Sequence, residues 1–139
     1  MKEVLGLDTK YVLVVNQVPG MTWLLKRSLG ASDRHIVVAE NTDTAAAMME
    51  SVDFDLVISD ITQEQMDGFE SMCNTWRTNG NGQMIMFSSF GKLEVTSRAR
   101  NLGVERFLTK PFRVEHLQDE VARVLTTLTQ PEAIPAMAN

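Results

Sequence analysis

The sequence predicts a single three-layer α/β domain in which a parallel five-stranded sheet lies between two layers of helices. Five short apolar runs, each too short for a stable helix, alternate with segments in which apolar residues recur at helical spacing. Neighbouring parallel strands need a crossover connection, and right-handed crossovers place helices on both faces of the sheet. The length of 139 residues suits one domain with short tails.

Each strand is predicted from a short, largely apolar run, and the first three runs are rich in β-branched residues. The runs cover residues 11–15, 35–39, 56–58, 83–87 and 106–108. Because they do not alternate strictly between apolar and polar residues, we expect strands that are buried on both faces of the sheet.

The helices are predicted from apolar residues that recur every three or four positions and therefore share one face. These stripes are Met21, Leu24, Leu25 and Leu29; Ala45, Ala46, Met48 and Met49; Phe69, Met72, Cys73 and Trp76; and Leu117, Val121, Val124, Leu125 and Leu128. Residues 92–102 have a weaker pattern and form the predicted fourth helix. Gly30 and Gly103 stand where the first and fourth helices should end. Residues 79–82 predict a helix-to-strand loop, with an Asn-Gly hairpin as the alternative.

Composition limits the location and the partners of the chain. We predict a domain at residues 10–128, flanked by tails at 1–9 and 129–139. Thirteen basic and eighteen acidic residues give a net charge of −5, which repels nucleic acid and anionic lipid. The apolar runs fall far short of the ~18 residues of a membrane-spanning helix. With a single cysteine and no signal-peptide pattern, we expect a cytoplasmic protein that binds neither nucleic acid directly nor a membrane.

Polar residues follow the predicted strands at the edge where open α/β sheets bind ligands. They are Asn16 and Gln17, Ser59 and Asp60, Ser88 and Ser89, and Thr109 and Lys110. A carboxylate beside an ammonium group and a hydroxyl is suited to accepting a phosphoryl group. A buried ion pair that merely closes the edge of the sheet explains the same spacing equally well.

Five ordered motifs resemble the receiver domain of two-component response regulators, and the match covers residues 11–128. The motifs are Val12-Leu13-Val14-Val15, Asp55-Leu56-Val57-Ile58-Ser59-Asp60, Met66-Asp67-Gly68-Phe69-Glu70, Phe87-Ser88-Ser89 and Leu108-Thr109-Lys110-Pro111-Phe112. The resemblance implies a flavodoxin-like fold with strand order 2-1-3-4-5. It also implies a cis peptide bond before Pro111.

The resemblance further assigns roles to individual residues. Asp60 matches the phosphoacceptor, and Lys110 matches the phosphate-binding lysine. Ser88 matches the switch hydroxyl that turns toward the phosphoryl group, and Phe107 matches the switch aromatic residue. Seen alone, Ser88 is a turn or cap residue and Phe107 is a core residue.

The sequence departs from the family at the magnesium site. Receiver domains normally follow the first strand with two acidic residues, which hold Mg²⁺ together with the phosphoacceptor and a backbone carbonyl. Here Asn16 and Gln17 stand at the two acidic positions, and Thr62 is a further degenerate position of the metal site. Asp60 is therefore the one carboxylate left for the metal. Mg²⁺ prefers carboxylate oxygens and gives up water reluctantly. We therefore expect Mg²⁺ binding to be weak or absent, and a salt bridge to join Asp60 and Lys110.

The resemblance implies a regulatory module rather than an enzyme. Its expected partners are a sensor histidine kinase or phosphotransfer protein and a downstream effector protein or domain. The expected contact surface is the face made by the fourth helix, fifth strand and fifth helix, which is also a candidate surface for a homodimer. One alternative is a phosphorylation-independent pseudo-receiver used for docking or dimerisation, in which Asp60 is structural. A third interpretation, a phosphohydrolase, needs an acidic metal site that the sequence lacks.

Overall fold

A computed structural model gives the fold and describes residues 9–16, 18–31, 33–60, 66–79, 82–89, 93–104 and 106–129. At residues 19, 66, 79, 88, 89, 93–95 and 127–129 the description covers the backbone alone. The two predicted tails lie outside the described residues, apart from Thr9 and Thr129.

Five parallel strands form one sheet at the centre of the molecule. The strands are β1 (Lys10–Val15), β2 (Arg34–Ala39), β3 (Leu56–Asp60), β4 (Gln83–Ser89) and β5 (Arg106–Lys110). Their order across the sheet is β2-β1-β3-β4-β5, and every neighbouring pair is parallel. The predicted fold class and strand order are therefore confirmed.

β1 and β2 begin one residue earlier than predicted, and β3, β4 and β5 each end two residues later. Asp60 pairs with Phe87, and Ser89 pairs with Lys110, so the ladders continue past the end of each apolar run. We predicted that Asp60 and Lys110 would follow their strands, whereas each is the last residue of one. The prediction was wrong by two residues because backbone hydrogen bonding, not side-chain polarity, decides where a strand ends.

Five helices connect the strands: α1 (Pro19–Leu29), α2 (Thr42–Ser51), α3 (Met66–Asn79), α4 (Leu93–Asn101) and α5 (Val114–Thr129). The parallel pairing of β3 with β4 makes the connection after α3 a helix-to-strand loop and excludes the hairpin alternative. Gly30 caps the end of α1. Gly103 follows α4 with φ of +101°, a conformation that favours glycine.

The sheet buries apolar side chains on both faces, as its unbroken apolar runs indicated. Val12 and Val14 belong to a cluster with α1 and α5, whereas Leu13 and Val15 belong to a cluster with α2, α3 and α4. This alternation follows from the two-residue period of a strand. No helix among the described residues is both long and apolar enough to cross a membrane.

One residue of the predicted α1 stripe is not in the core. Leu25 and Leu29 are fully buried, but 37% of Leu24 is exposed, as is 63% of the neighbouring Trp23. Residues four apart on a helix lie nearly above one another, so Met21, Leu25 and Leu29 form the stripe that faces the sheet. Leu24 lies to one side of that stripe, over the loop that contains Pro111 and Phe112.

Candidate functional site

The strand order brings the predicted polar residues to one edge of the sheet. β1 lies between β2 and β3, so the chain order reverses there, which is where open α/β sheets form a ligand crevice. The register pairs Val15 of β1 with Ser59 of β3, and the residues that directly follow them are Asn16 and Asp60. Lys110 ends β5 at the same edge.

Asp60 and Lys110 form a direct ion pair, as predicted. The Lys110 Nζ lies 2.6 Å from Asp60 Oδ2, and only 14% of the Asp60 side chain is exposed. The Nζ also lies 5.7 Å from the centre of the Phe87 ring, which in turn contacts the ring of Phe112 at 5.0 Å. An ammonium over an aromatic face gains electrostatic stabilisation in addition to its salt bridge.

The second oxygen of Asp60 has a different environment. Asp60 Oδ1 is buried and makes no hydrogen bond with any residue that the structure describes. Buried polar atoms in proteins are nearly always hydrogen-bonded, so an unpartnered carboxylate oxygen at a crevice indicates a site that interacts with something else. The two oxygens of Asp60 are therefore not equivalent: one is neutralised by Lys110, and the other makes no hydrogen bond within the described ranges.

Asn16 is held rigidly at the end of β1. It is 4% exposed, and its Oδ1 accepts a hydrogen bond of 2.7 Å from the Val18 N–H. Its backbone N–H donates to Ala39, and Thr22 donates to its backbone carbonyl. Because an amide nitrogen cannot accept a hydrogen bond, the Val18 contact fixes which way the carboxamide faces. The Nδ2 of Asn16 is buried and has no partner among the described residues.

A cavity of about 190 Å³ is lined by the two residues that carry these atoms, Asn16 and Asp60. Its lining residues are Val15, Asn16, Glu40, Asn41, Thr42, Asp60 and Gly68. On this measure one water needs about 10–15 Å³, so the cavity has room for a polyatomic group. The first residue of α2 and the third residue of α3 line it, so two helix N-termini contribute partial positive charge.

Gly68 allows α3 to approach α2 at this cavity. A Cβ at Gly68 would lie 2.5 Å from Thr42 Oγ1, closer than non-bonded atoms approach. Asn41 caps α2, and its Oδ1 accepts a 2.7 Å hydrogen bond from the Thr44 N–H. The glycine of the Met-Asp-Gly motif therefore has a packing role beside the candidate site.

Several predicted site residues remain untested by the geometry. Gln17 and Thr62 lie outside the described residues, as does the side chain of Ser88. Phe107 is partly buried against the core on the α2–α4 face, and the Arg100 guanidinium lies 5.0 Å from the centre of its ring. The Lys110–Pro111 peptide bond is cis, as the resemblance implied.

The start of α2 forms a wall of the cavity that was not predicted. The predicted site residues follow strands one, three, four and five, whereas this wall consists of Glu40, Asn41 and Thr42, which follow β2. An Asn directly before an apolar-periodic segment is a helix N-cap signal, and it would have placed this helix start at the carboxyl edge of the sheet.

Three arginines on α4, β5 and α5 form ion pairs. Arg98 contacts Glu70 at 2.8 Å, while Arg106 and Arg123 contact Glu120 at 3.1 and 3.0 Å.

Away from the face formed by α4, β5 and α5, burial raises the pKa of the Cys73 thiol to about 12, against an opposing effect of the Arg77 charge. Cys73 is accordingly an inert core residue, as its place on the α3 stripe indicated.

Comparison with known proteins gives consistent results. A family model described as the response regulator receiver domain matches residues 12–122. The chain is 32% identical over 117 residues to the chemotaxis protein CheY of Halobacterium salinarum, which covers 84% of this chain and 98% of that protein. It is 29% identical over 101 residues to the transcriptional regulatory protein GlrR of Escherichia coli, which covers 73% of this chain and 23% of that protein. A solved CheY-like receiver domain protein from Methanospirillum hungatei matches the fold with a TM-score of 0.75 at 19% identity, over 88% of this chain and 98% of that one.

Proposed function

Since the chain belongs to the response regulator receiver family, we propose that it is a receiver in which Asp60 accepts a phosphoryl group with little or no help from Mg²⁺. Receiver domains are regulatory modules of two-component signalling that interact with histidine kinases and effector domains. What we propose for this receiver is how Asp60 is phosphorylated and which face of the domain binds the effector.

The observation that carries the proposal is the unequal environment of the two Asp60 oxygens. Oδ2 is bound to Lys110, whereas Oδ1 is unpartnered among the described residues and belongs to a residue that lines the cavity of about 190 Å³. A free carboxylate oxygen can act as a nucleophile, and an adjacent fixed ammonium can stabilise the negative charge of the transferred group. Phosphoryl transfer needs both groups in one place.

The residues present do not fit a magnesium ion. The Asn16 oxygen already accepts a hydrogen bond from the Val18 N–H, and the atom without a partner among the described residues is Nδ2, a hydrogen-bond donor with partial positive charge. Mg²⁺ requires near-octahedral oxygen coordination. A carboxylate missing at ~4 Å from a dication forfeits about 8 kcal/mol at an effective dielectric constant near 20, before desolvation offsets part of it. Within the described part of the chain, no group of three His, Cys, Asp or Glu side chains could hold a metal ion.

The proposed chemistry uses groups of this chain. Asp60 Oδ1 attacks the phosphorus of a phosphohistidine, the P–N bond breaks, and the imidazole leaves with that electron pair and takes a proton from water. Lys110 then compensates the charge of the phosphoryl oxygens, while Asp60 Oδ2 becomes the neutral carbonyl oxygen of an acyl phosphate. The change in the Asp60–Lys110 pair would alter the end of β5, which belongs to the face made by α4, β5 and α5. We propose that this face binds the effector, or a second copy of the chain, by protein contact.

A second function is favoured by the same ion pair. The 2.6 Å contact between Nζ and Oδ2 neutralises Asp60 directly. A pair of this kind also suits a pseudo-receiver that is never phosphorylated, in which Asp60 and Lys110 only hold the carboxyl edge together and the domain docks or dimerises constitutively.

One experiment separates these functions. The chain is incubated with phosphoramidate, either with millimolar MgCl₂ or with EDTA, and the phosphoryl adduct is measured by intact mass and mapped to a residue. We expect a single adduct on Asp60, absent in Asp60→Asn, whose rate differs by less than about threefold between the two conditions. Strong acceleration by Mg²⁺ would contradict the impaired metal site, and absence of any adduct would favour the pseudo-receiver.

A further inference from the structure

Asn16 and Asp60 line one cavity, and each carries a buried polar atom that has no partner among the residues the structure describes. The donor is Asn16 Nδ2 and the acceptor is Asp60 Oδ1, and both residues line the same cavity. Since proteins seldom bury such atoms without partners, the occupant of the cavity should satisfy both.

The donor is part of a fixed structure rather than a mobile surface amide. Asn16 is 4% exposed, and its oxygen is bound to the Val18 N–H at the start of α1. Rotating the carboxamide by half a turn would place Nδ2 against the Val18 N–H and set two donors against each other. The Nδ2 group is therefore already oriented before any ligand arrives.

The charges around the cavity restrict what the occupant can be. The N-termini of α2 and α3 and the Asn16 Nδ2 favour an oxyanion. A free anion, however, would face the Asp60 Oδ1 and the Glu40 carboxylate, which also lines the cavity. A phosphoryl group bonded to Oδ1 removes the conflict with Asp60, because the bond converts the unpartnered acceptor into the bridging oxygen of an acyl phosphate and brings new acceptor oxygens toward Nδ2.

We infer that the Asn16 carboxamide is a phosphoryl-binding group: it donates a hydrogen bond from Nδ2 to the phosphoryl group on Asp60, at a site that works without a divalent cation. This inference rests on the proposed role of Asp60 and deepens it. In the reaction with phosphoramidate, the Oδ1–P bond forms, the P–N bond breaks and ammonia leaves. Asn16 keeps its protons throughout.

The test compares two asparagines of the same cavity. Asn16→Asp keeps an oxygen for the Val18 N–H but replaces the unpartnered donor with a charged acceptor. Asn41→Asp adds the same charge to the cavity wall and keeps the α2 cap, but Asn41 is exposed, so its carboxamide supplies no buried donor. We expect the rate of Asp60 modification in EDTA to fall at least about tenfold in Asn16→Asp and less than about threefold in Asn41→Asp. Equal losses in the two variants would overturn the inference, as would an unchanged rate in Asn16→Asp.

A second measurement needs no variant. In the natural chain, the two Nδ2 proton resonances of Asn16 should shift when Asp60 is modified in EDTA, whereas those of Asn41 should shift much less. Modification of Asp60 that leaves the Asn16 resonances in place would overturn the inference while leaving Asp60 as phosphoacceptor. Failure of the natural chain to form any adduct would overturn the proposed function itself, so the two failures are distinguishable.

Discussion

The Lys110 ammonium reaches across β4 to bind Asp60 on β3, although the strands that carry the two residues are not neighbours. Nζ lies 2.6 Å from Asp60 Oδ2 and 5.7 Å from the ring of Phe87 on the intervening strand. The pair therefore ties together the carboxyl ends of β3, β4 and β5. It neutralises one of the two Asp60 oxygens and leaves the other available.

Removal of the lysine should destabilise the domain. Lys110→Met leaves the Asp60 charge poorly solvated, with 14% of its side chain exposed. Breaking a fully buried pair costs about 3–5 kcal/mol, but 30% of the Lys110 side chain reaches water, so we expect a loss of about 1–3 kcal/mol in the free energy of unfolding. Urea denaturation of Lys110→Met, Asp60→Asn and the double variant measures the coupling. Additivity of the two single effects within about 0.5 kcal/mol would contradict a stabilising pair.

Because α2 and α3 approach closely at Gly68, the effect of Gly68→Ala on stability should depend on the residue at position 42. Gly68→Ala places a Cβ 2.5 Å from Thr42 Oγ1 and should cost about 1–3 kcal/mol in thermal or urea unfolding. In a Thr42→Ala background that oxygen is absent, and alanine has a helix propensity better than glycine by about 1 kcal/mol. Gly68→Ala should then be neutral or stabilising. An equal loss of stability in both backgrounds would show that Gly68 is needed for another reason.

Because the Cys73 thiol is buried, we expect the folded domain to lose stability at alkaline pH. Burial raises its pKa from 9.0 to about 12, so above pH 9 the unfolded chain loses this proton while the folded chain keeps it. The contribution is fully present below pH 9 and is lost as pH rises toward 12, at up to ~1.4 kcal/mol per pH unit. The free energies of unfolding of the natural chain and of Cys73→Ala, compared between pH 8 and pH 10.5, isolate this slope because other groups titrate alike in both. Parallel pH profiles would contradict a buried, protonated thiol.

The sequence predicted the sheet order and the Asp60–Lys110 contact because both follow from ordered motifs and from the rule that parallel strands end at one edge. It could not predict that Leu24 would leave the core, since a stripe of apolar residues on α1 does not show which member faces the sheet. The orientation of the Asn16 carboxamide was equally inaccessible. It depends on the Val18 N–H, which the turn into α1 brings to the amide oxygen. The start of α2 was predictable from the N-cap signal of Asn41, but the close approach of Gly68 that completes this wall of the cavity depends on tertiary packing.

The central claim is that the pocket beside Asp60 does not hold Mg²⁺, and a metal titration tests it most directly. Backbone amide resonances of Asn16 and Asp60 are followed as MgCl₂ is added to the natural chain and to an Asn16→Asp, Gln17→Asp double variant, which restores the acidic pair. A site half filled at ~1 mM corresponds to about −4 kcal/mol of binding free energy. We predict no saturating shift for the natural chain up to about 10 mM, where an affinity of that order would saturate, and saturation near 1 mM for the double variant. Saturation of the natural chain at or below 1 mM would contradict the claim.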